Sequence, residues 1–186
     1  MSKTAKPRRP DVEHVDLIGG TEKRQLEVVG YDNHWPAIFA EHRERLRQAL
    51  GAADVLIEHI GSTSVPGLAA KPIVDIVVAV DDITAEEDYL PAMLTAGYVL
   101  RVREPGHRLV RTPHRDVHIH IYQRDDLAVT NYLLFRDRLR TDPDDRDLYA
   151  RTKEALIEQG FDDMNAYSDA KTDVIAAILA RAQRRS

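Results

Sequence analysis

A single acid interrupts an otherwise apolar stretch of this chain. From Ile73 to Val80 the sequence reads IVDIVVAV, and Asp75 is its one charge. A carboxylate there is expensive to bury unless a metal ion or another cation meets it, which makes Asp75 a candidate site residue. Just upstream, Glu58 to Lys71 reads EHIGSTSVPGLAAK. Gly61 lets the backbone come close to a ligand. Ser62, Thr63 and Ser64 offer the hydroxyl and backbone N–H donors that a phosphate takes, and Lys71 adds a positive charge. Downstream, His118 and His120 stand two apart in VHIHIY. On a strand both point to one face while Ile119 and Ile121 point to the other, and such a pair has good geometry for a metal. With Asp75, and Glu58 or His59 beside it, the pair makes a mixed imidazole and carboxylate site for a divalent ion. Zn²⁺, Mn²⁺ or Fe²⁺ suits that donor set better than Mg²⁺ alone. The same residues also read as an ordinary turn, a carboxylate salt-bridged to a lysine, and the solvent-facing side of a half-buried strand.

Two further features bear on charge. Arg101, Arg103, Arg108, Arg111, Arg115 and Arg124 stand against only Glu104 and Asp116 in their stretch. That local excess suits an anionic ligand, or else an edge hairpin that uses charge to avoid pairing with other chains. Near the C-terminus, Lys171 lies within the apolar stripe formed by Tyr167, Val174 and Ile178. A lysine there must reach water or meet a negative partner, and Asp75 or a bound phosphate are the candidates.

The elements that would position these residues are readable from periodicity. A short strand is expected over Gln25–Val29. A helix is expected over Trp35–Leu50, with Asn33 as cap, Pro36 in its first turn and Gly51 as stop. Val55–Ile60 and Ile73–Val80 read as strands, the second with the composition of a central strand covered on both faces. Thr84–Ala96 reads as a helix opened by a capping box of Thr84 and Glu87. Tyr98–Arg103, Arg108–Arg111 and Val117–Tyr122 are further strands, the first two joined by a Pro105-Gly106 turn. Helices follow over Leu127–Arg140, Pro143–Gln159 and Asn165–Gln183. The acids Asp142, Asp144, Asp145 and Asp147 lack the glycine of a calcium loop and fit a helix N-terminus instead.

This pattern is one α/β (α+β) domain: a mixed β-sheet with helices packed on it and a C-terminal helical segment. Residues 1–22 are expected to form a flexible tail and residues 23–186 the domain. The 186 residues carry a net charge of −5, which argues against a general nucleic-acid coat. With no cysteine, disulfides and thiolate chemistry are excluded. The sequence lacks a signal peptide and a run long enough to span a membrane, so a cytoplasmic location is expected.

The segment IEHIGSTSVPGLAAKPIVDI resembles the signature of the GrpB family, also described as a dephospho-CoA kinase and protein-folding accessory domain. The resemblance runs through VVGYDNHWPAIFAEHRERLRQAL, HIHIY, LLFRDRLR with Arg136 and Asp137, the Tyr149 and Lys153 helix, and Tyr167 with Lys171. It covers roughly residues 27 to 180. It implies the fold of the nucleotidyltransferase superfamily, in which a Gly-Ser turn holds a triphosphate and strand carboxylates hold two Mg²⁺ ions. Gly61 and Ser62 match the turn, and Asp75 matches the first carboxylate. Val77 stands where the second is expected, and His118 and His120 stand near the third. The function implied is a divergent nucleotidyltransferase that binds a nucleoside triphosphate or other phosphorylated small molecule with Mg²⁺, Mn²⁺ or Zn²⁺. Its alternative is a non-catalytic nucleotide-binding module that serves a protein partner. A kinase is not implied, because no Gly-x-x-x-x-Gly-Lys-Ser/Thr loop is present.

Overall fold

The computed structural model describes residues 10–22, 27–51, 55–160 and 164–184. Within them one sheet is built from β1 (Asp16–Leu17), β2 (Leu56–Ile60), β3 (Val74–Val80), β4 (Val99–Glu104), β5 (His107–Arg111) and β6 (Val117–Gln123). The spatial order is β1-β4-β5-β6-β3-β2. All neighbours are antiparallel except β3 and β6, which run parallel with Asp75 opposite His118 and Val77 opposite His120.

Side chains alternate across a pleated strand, and this alternation divides the sheet into two unlike faces. On one face Val74, Ile76 and Val78 join Ile119, Ile121 and Val110. They are covered by α1 (Trp35–Leu50) and α2 (Leu90–Thr95), through Trp35, Leu46 and Met93. Each large apolar side chain buried here contributes about 1.5–3 kcal/mol. The other face carries Asp75, His118 and His120. At one end of it Ile60 and Val77 meet Val129 of α3 (Leu127–Thr141). Beyond the sheet, α3 packs with α4 (Pro143–Gln159) and α6 (Thr172–Gln183), sharing Leu139, Tyr149 and Ile178 with Val65 and Leu68 of the loop after β2. A hollow is left between that helical layer and the sheet.

Several expectations are met and several corrected. α1 keeps its expected bounds, and Gly51 closes it at φ 61°. Its start is held by Asp32, which accepts from His34 N at 2.8 Å, and not by Asn33. The strand expected over Gln25–Val29 falls partly outside the described residues, and Val29 makes a single bridge to Ala70. The capping box of Thr84 does not form. Thr84 gives both its N–H and its hydroxyl back to Asp82, and Glu86–Asp88 makes one 3₁₀ turn before α2 begins at Leu90 with a proline in its first turn. That proline is suited to a helix start and disfavours helix just before it. Asp142 caps α4 by accepting from Asp145 N. The final helix is broken at Lys171 into α5 (Met164–Ala170) and α6.

The expected tail is also corrected where it is described. β1 pairs with β4. Asp11 accepts from Gly106 N at 2.6 Å and from Arg108. Glu22 holds Arg111 at 2.6 Å and Arg115 at 3.2 Å. Glu86 takes Arg103 and Arg108. Much of the charge of the arginine-rich hairpin is therefore met by the protein's own acids. Arg108 is buried between two of them, so Asp11→Ala is expected to cost about 2 kcal/mol by leaving part of that guanidinium unmatched. Urea denaturation measures this loss, and an unchanged midpoint would show that the N-terminal segment does not hold the hairpin.

Candidate functional site

Gly61 directs the chain from β2 over the start of β3. Its φ of 71° and ψ of −176° are open almost only to glycine. Its carbonyl accepts from Ser64 N at 3.1 Å and Ser64 Oγ at 2.6 Å, which closes the 3₁₀ turn Ser62–Ser64. The turn lies against Asp75, and a Cβ at position 61 would sit 2.8 Å from Asp75 Oδ2. The Gly-Ser bend and the lone carboxylate are thus in direct contact.

Asp75 is 31% exposed at its side chain, with Oδ1 3.4 Å from His120 Nε2 and 3.9 Å from His118 Nδ1. Burial raises the tendency of its carboxyl to stay protonated. The His120 hydrogen bond and the charges of His120, His118 and His59 outweigh that effect and hold it below the ordinary carboxylate range. Behind His120 lies a chain of polar contacts. His107 Nδ1 donates to Glu104 Oε1, and His107 Nε2 is 3.2 Å from His120 Nδ1. Burial, then His120, push His107 down to about 4 against the pull of Glu104, so its Nε2 serves as an acceptor at neutral pH. His120 Nδ1–H therefore points at His107, and Nε2 is the nitrogen presented to Asp75.

Three lysines close the other side. Lys153, 4% exposed, donates from Nζ to Ala69 O and to Ser62 Oγ at 3.2 Å. Burial, and after it the charges of Lys171 and Lys71, bring it down to about 7. Lys71 and Lys171 lie 4.4 and 4.5 Å from the centre of the Tyr167 ring, a favourable contact for a cation. Burial lowers Lys171 as well, opposed by Asp75. Lys71 and Lys171 line a hollow of about 460 Å³ together with Tyr132 and Tyr149, and Lys153 meets its Ser62 wall.

The structure brings together Gly61, Ser62, Thr63, Lys71, Asp75, His118, His120 and Lys171 around this one hollow. It does not bring Glu58 or Ser64 there. Glu58 is held 2.7 Å from Arg136, and both Glu58 and Ser64 line a separate hollow. His59 is turned to the opposite face, where it stacks on Phe39 and contacts Thr63 Oγ1 at 3.0 Å. A two-Mg²⁺ carboxylate set does not fit these residues. Val77 is 0% exposed and packed in the core, so no second acid accompanies Asp75. Among the described residues, no group of three or more His, Asp or Glu side chains is arranged to hold a metal ion. Nor is any described helix long and apolar enough to cross a membrane.

A profile of the GrpB protein family matches residues 25–181. The chain belongs to the GrpB family. It is 64% identical to a UPF0157 protein of Streptomyces coelicolor, over 98% of this chain and 97% of that one. A crystal structure of the conserved protein GrpB from Enterococcus faecalis superposes with a TM-score of 0.74 at 33% identity, covering 86% of this chain and 98% of that chain. A dephospho-CoA kinase of Mycolicibacterium paratuberculosis is 28% identical over 76% of this chain and 42% of its own length. Cid1, solved with the UTP analog UMPNPP, overlaps with a TM-score of 0.42 at 20% identity, over 67% of this chain and 41% of that one.

In this GrpB-family chain, spacing arguments miss Lys153, His107, Glu104 and the tyrosines of the hollow. Lys153 follows Tyr149 by four residues on α4, so the two share a helix face. A lysine on the buried face of a helix is the signal that singled out Lys171, and it applies equally to Lys153. His107 carries no such mark, because its contact with His120 depends on the pairing of β5 with β6.

Proposed function

We propose that this chain binds a nucleoside triphosphate or another phosphorylated small molecule in the hollow beneath the Gly61–Ser64 turn. The observation that carries this reading is that Lys71 and Lys171 line one partly enclosed space with Asp75, while Lys153 is held against its Ser62 wall. Like charges gathered at low dielectric repel strongly, and an incoming phosphate chain relieves that repulsion. Ser62 Oγ, itself held by Lys153 Nζ, offers a donor to one phosphate group, while Lys71 and Lys171 offer charge to the next. The rings of Tyr132, Tyr149 and Tyr167 provide apolar surface for the rest of the ligand.

On this reading the protein is a divergent nucleotidyltransferase. Asp75 takes the proton of an acceptor hydroxyl, and the Glu104–His107 pair holds the His120 ring with Nε2 turned toward Asp75. Mg²⁺ and Mn²⁺ are often held by one carboxylate plus substrate phosphates. A Mg²⁺, Mn²⁺ or Zn²⁺ ion carried in on the phosphate would take Asp75 as its protein carboxylate, beside His118 and His120. Val77 favours the second reading, a binding module without catalysis, because it removes the second carboxylate.

Calorimetric titration of ATP, CTP and CoA, with and without Mn²⁺ or Zn²⁺, tests the proposal. Lys171→Gln is expected to weaken nucleotide binding about tenfold, the effect of one lost charge-assisted contact. Asp75→Ala is expected to erase any metal dependence. Pyrophosphate release on turnover supports the enzyme, whereas metal-independent binding without turnover supports the module. Failure of every phosphorylated compound to bind would overturn both.

A further inference from the structure

The turn after β2 separates two hollows. The second, about 440 Å³, opens at the free edge of the sheet, between β2, the start of α1, the end of α3 and the first turns of α4. Arg136, Arg140 and Arg146 line it together with Tyr31 and Phe39. The charges there are unequally matched. Arg136 has two carboxylate partners: Nη1 donates to Glu58 at 2.7 Å and to the His59 carbonyl at 3.1 Å, and Nε donates to Asp137 at 2.7 Å. Arg140 gives Nε to the Ser64 carbonyl at 2.9 Å and reaches Asp137 only at 3.8 Å. Burial, then the neighbouring Arg136, hold Arg140 below its ordinary value despite Asp137 and Glu58, as expected of a cation with incomplete counter-charge.

Arg146 has still less. Among the described residues no carboxylate pairs with its guanidinium, because the acids nearest in sequence are engaged elsewhere. Asp142 holds Arg138, and Asp145 holds Arg138 and Arg181. His59 adds no charge at neutral pH, since burial brings it down to about 4. Across the hollow stands Phe39, its ring stacked on His59 at 4.9 Å. A guanidinium pair facing an aromatic wall is suited to a planar molecule with an oxyanion at one end.

We propose that this second hollow binds a small molecule made of an oxyanion, carboxylate or phosphate, on a planar ring. Arg140 and Arg146 take the oxyanion, and Phe39 and Tyr31 flank the ring. The site goes beyond the phosphate-binding hollow and does not depend on it. The two are joined structurally by the Thr63–His59 contact and by Arg140 on the Ser64 carbonyl, which places a second ligand against the back of the turn that holds the first.

The test is calorimetry with phenyl phosphate and with benzoate on the wild-type chain, Arg146→Gln, Phe39→Leu and Lys171→Gln. Arg146→Gln is expected to weaken the better probe tenfold or more, and Phe39→Leu severalfold. Lys171→Gln, which alters only the first hollow, leaves the Arg146-dependent part of that probe's binding unchanged. The tighter of the two probes identifies the oxyanion. Arg146 supports no ion pair among the described residues, so a melting curve matching wild type confirms that its variant is folded. The proposal is overturned if neither probe binds at millimolar concentration, or if Lys171→Gln abolishes binding while Arg146→Gln does not. Loss of ATP binding in Lys171→Gln with phenyl phosphate binding intact would uphold both sites separately.

Discussion

Gly61→Ala is expected to destabilise the chain by about 3 kcal/mol, a fall of roughly 6–12 °C in melting temperature for a protein of this size. Two causes act together. The backbone at Gly61 lies where residues with a Cβ are strained by about 1–3 kcal/mol. The new methyl would also stand 2.8 Å from Asp75 Oδ2, closer than real contacts allow. Because the obstacle is the end of a short side chain on a rigid strand, relief requires the carboxylate to swing away from His120 or the turn to lift off β3. Either movement spoils the hollow, so phosphate binding is expected to fall with stability. The double variant Gly61→Ala/Asp75→Ala separates the causes. Removing the carboxylate relieves the clash but not the strained φ, so it recovers only part of the lost stability. Full recovery would show that backbone strain is unimportant, and an undiminished melting temperature in the single variant would refute the close approach of turn and carboxylate.

That contact shows how far the residues alone lead. The run IVDIVVAV identifies β3 as a covered strand and Asp75 as its anomaly, because one charge among β-branched neighbours conflicts with burial. HIHIY identifies the two faces of β6 by its period of two, and the structure keeps imidazoles on one face and isoleucines on the other. Register is what periodicity cannot supply. The parallel pairing of Asp75 with His118 joins residues more than forty positions apart, and composition places no bound on it. The fate of Glu58 illustrates the same limit. It shares a face with Asp75 across β2 and β3, yet the arrival of Arg136 from α3 takes it into an ion pair. The arginine-rich hairpin looks like an anion site only while Asp11, Glu22 and Glu86 are far away in sequence. Where tertiary contacts supply the partners, local charge counts mislead.

Lys153 offers the second large effect, because it is a buried cation whose hydrogen-bond partners, Ala69 O and Ser62 Oγ, carry no charge. Its ammonium falls from the ordinary 10.5 to about 7, chiefly through burial. Between those values the native state holds fewer protons than the unfolded chain. Stability therefore rises with pH across the window from about 7 to 10.5, and the cost of the charged form is fully present below it. A phosphate in the hollow favours the ammonium and raises its affinity for a proton. Binding of ATP near pH 8 is thus expected to take up part of a proton, visible as a dependence of the calorimetric heat on the ionisation enthalpy of the buffer. Lys153→Met keeps most of the length of the side chain and removes its charge. It is expected to abolish the proton uptake and weaken binding about a hundredfold, roughly 2.7 kcal/mol at 1.36 kcal/mol per decade. Its stability at pH 6 should stay within about 1 kcal/mol of wild type, since the lost contacts to Ala69 O and Ser62 Oγ are offset by the end of charge burial. Equal heats in buffers of different ionisation enthalpy, or unchanged ATP affinity in Lys153→Met, would mean that this lysine is a structural strut between α4 and the turn and not a ligand for phosphate.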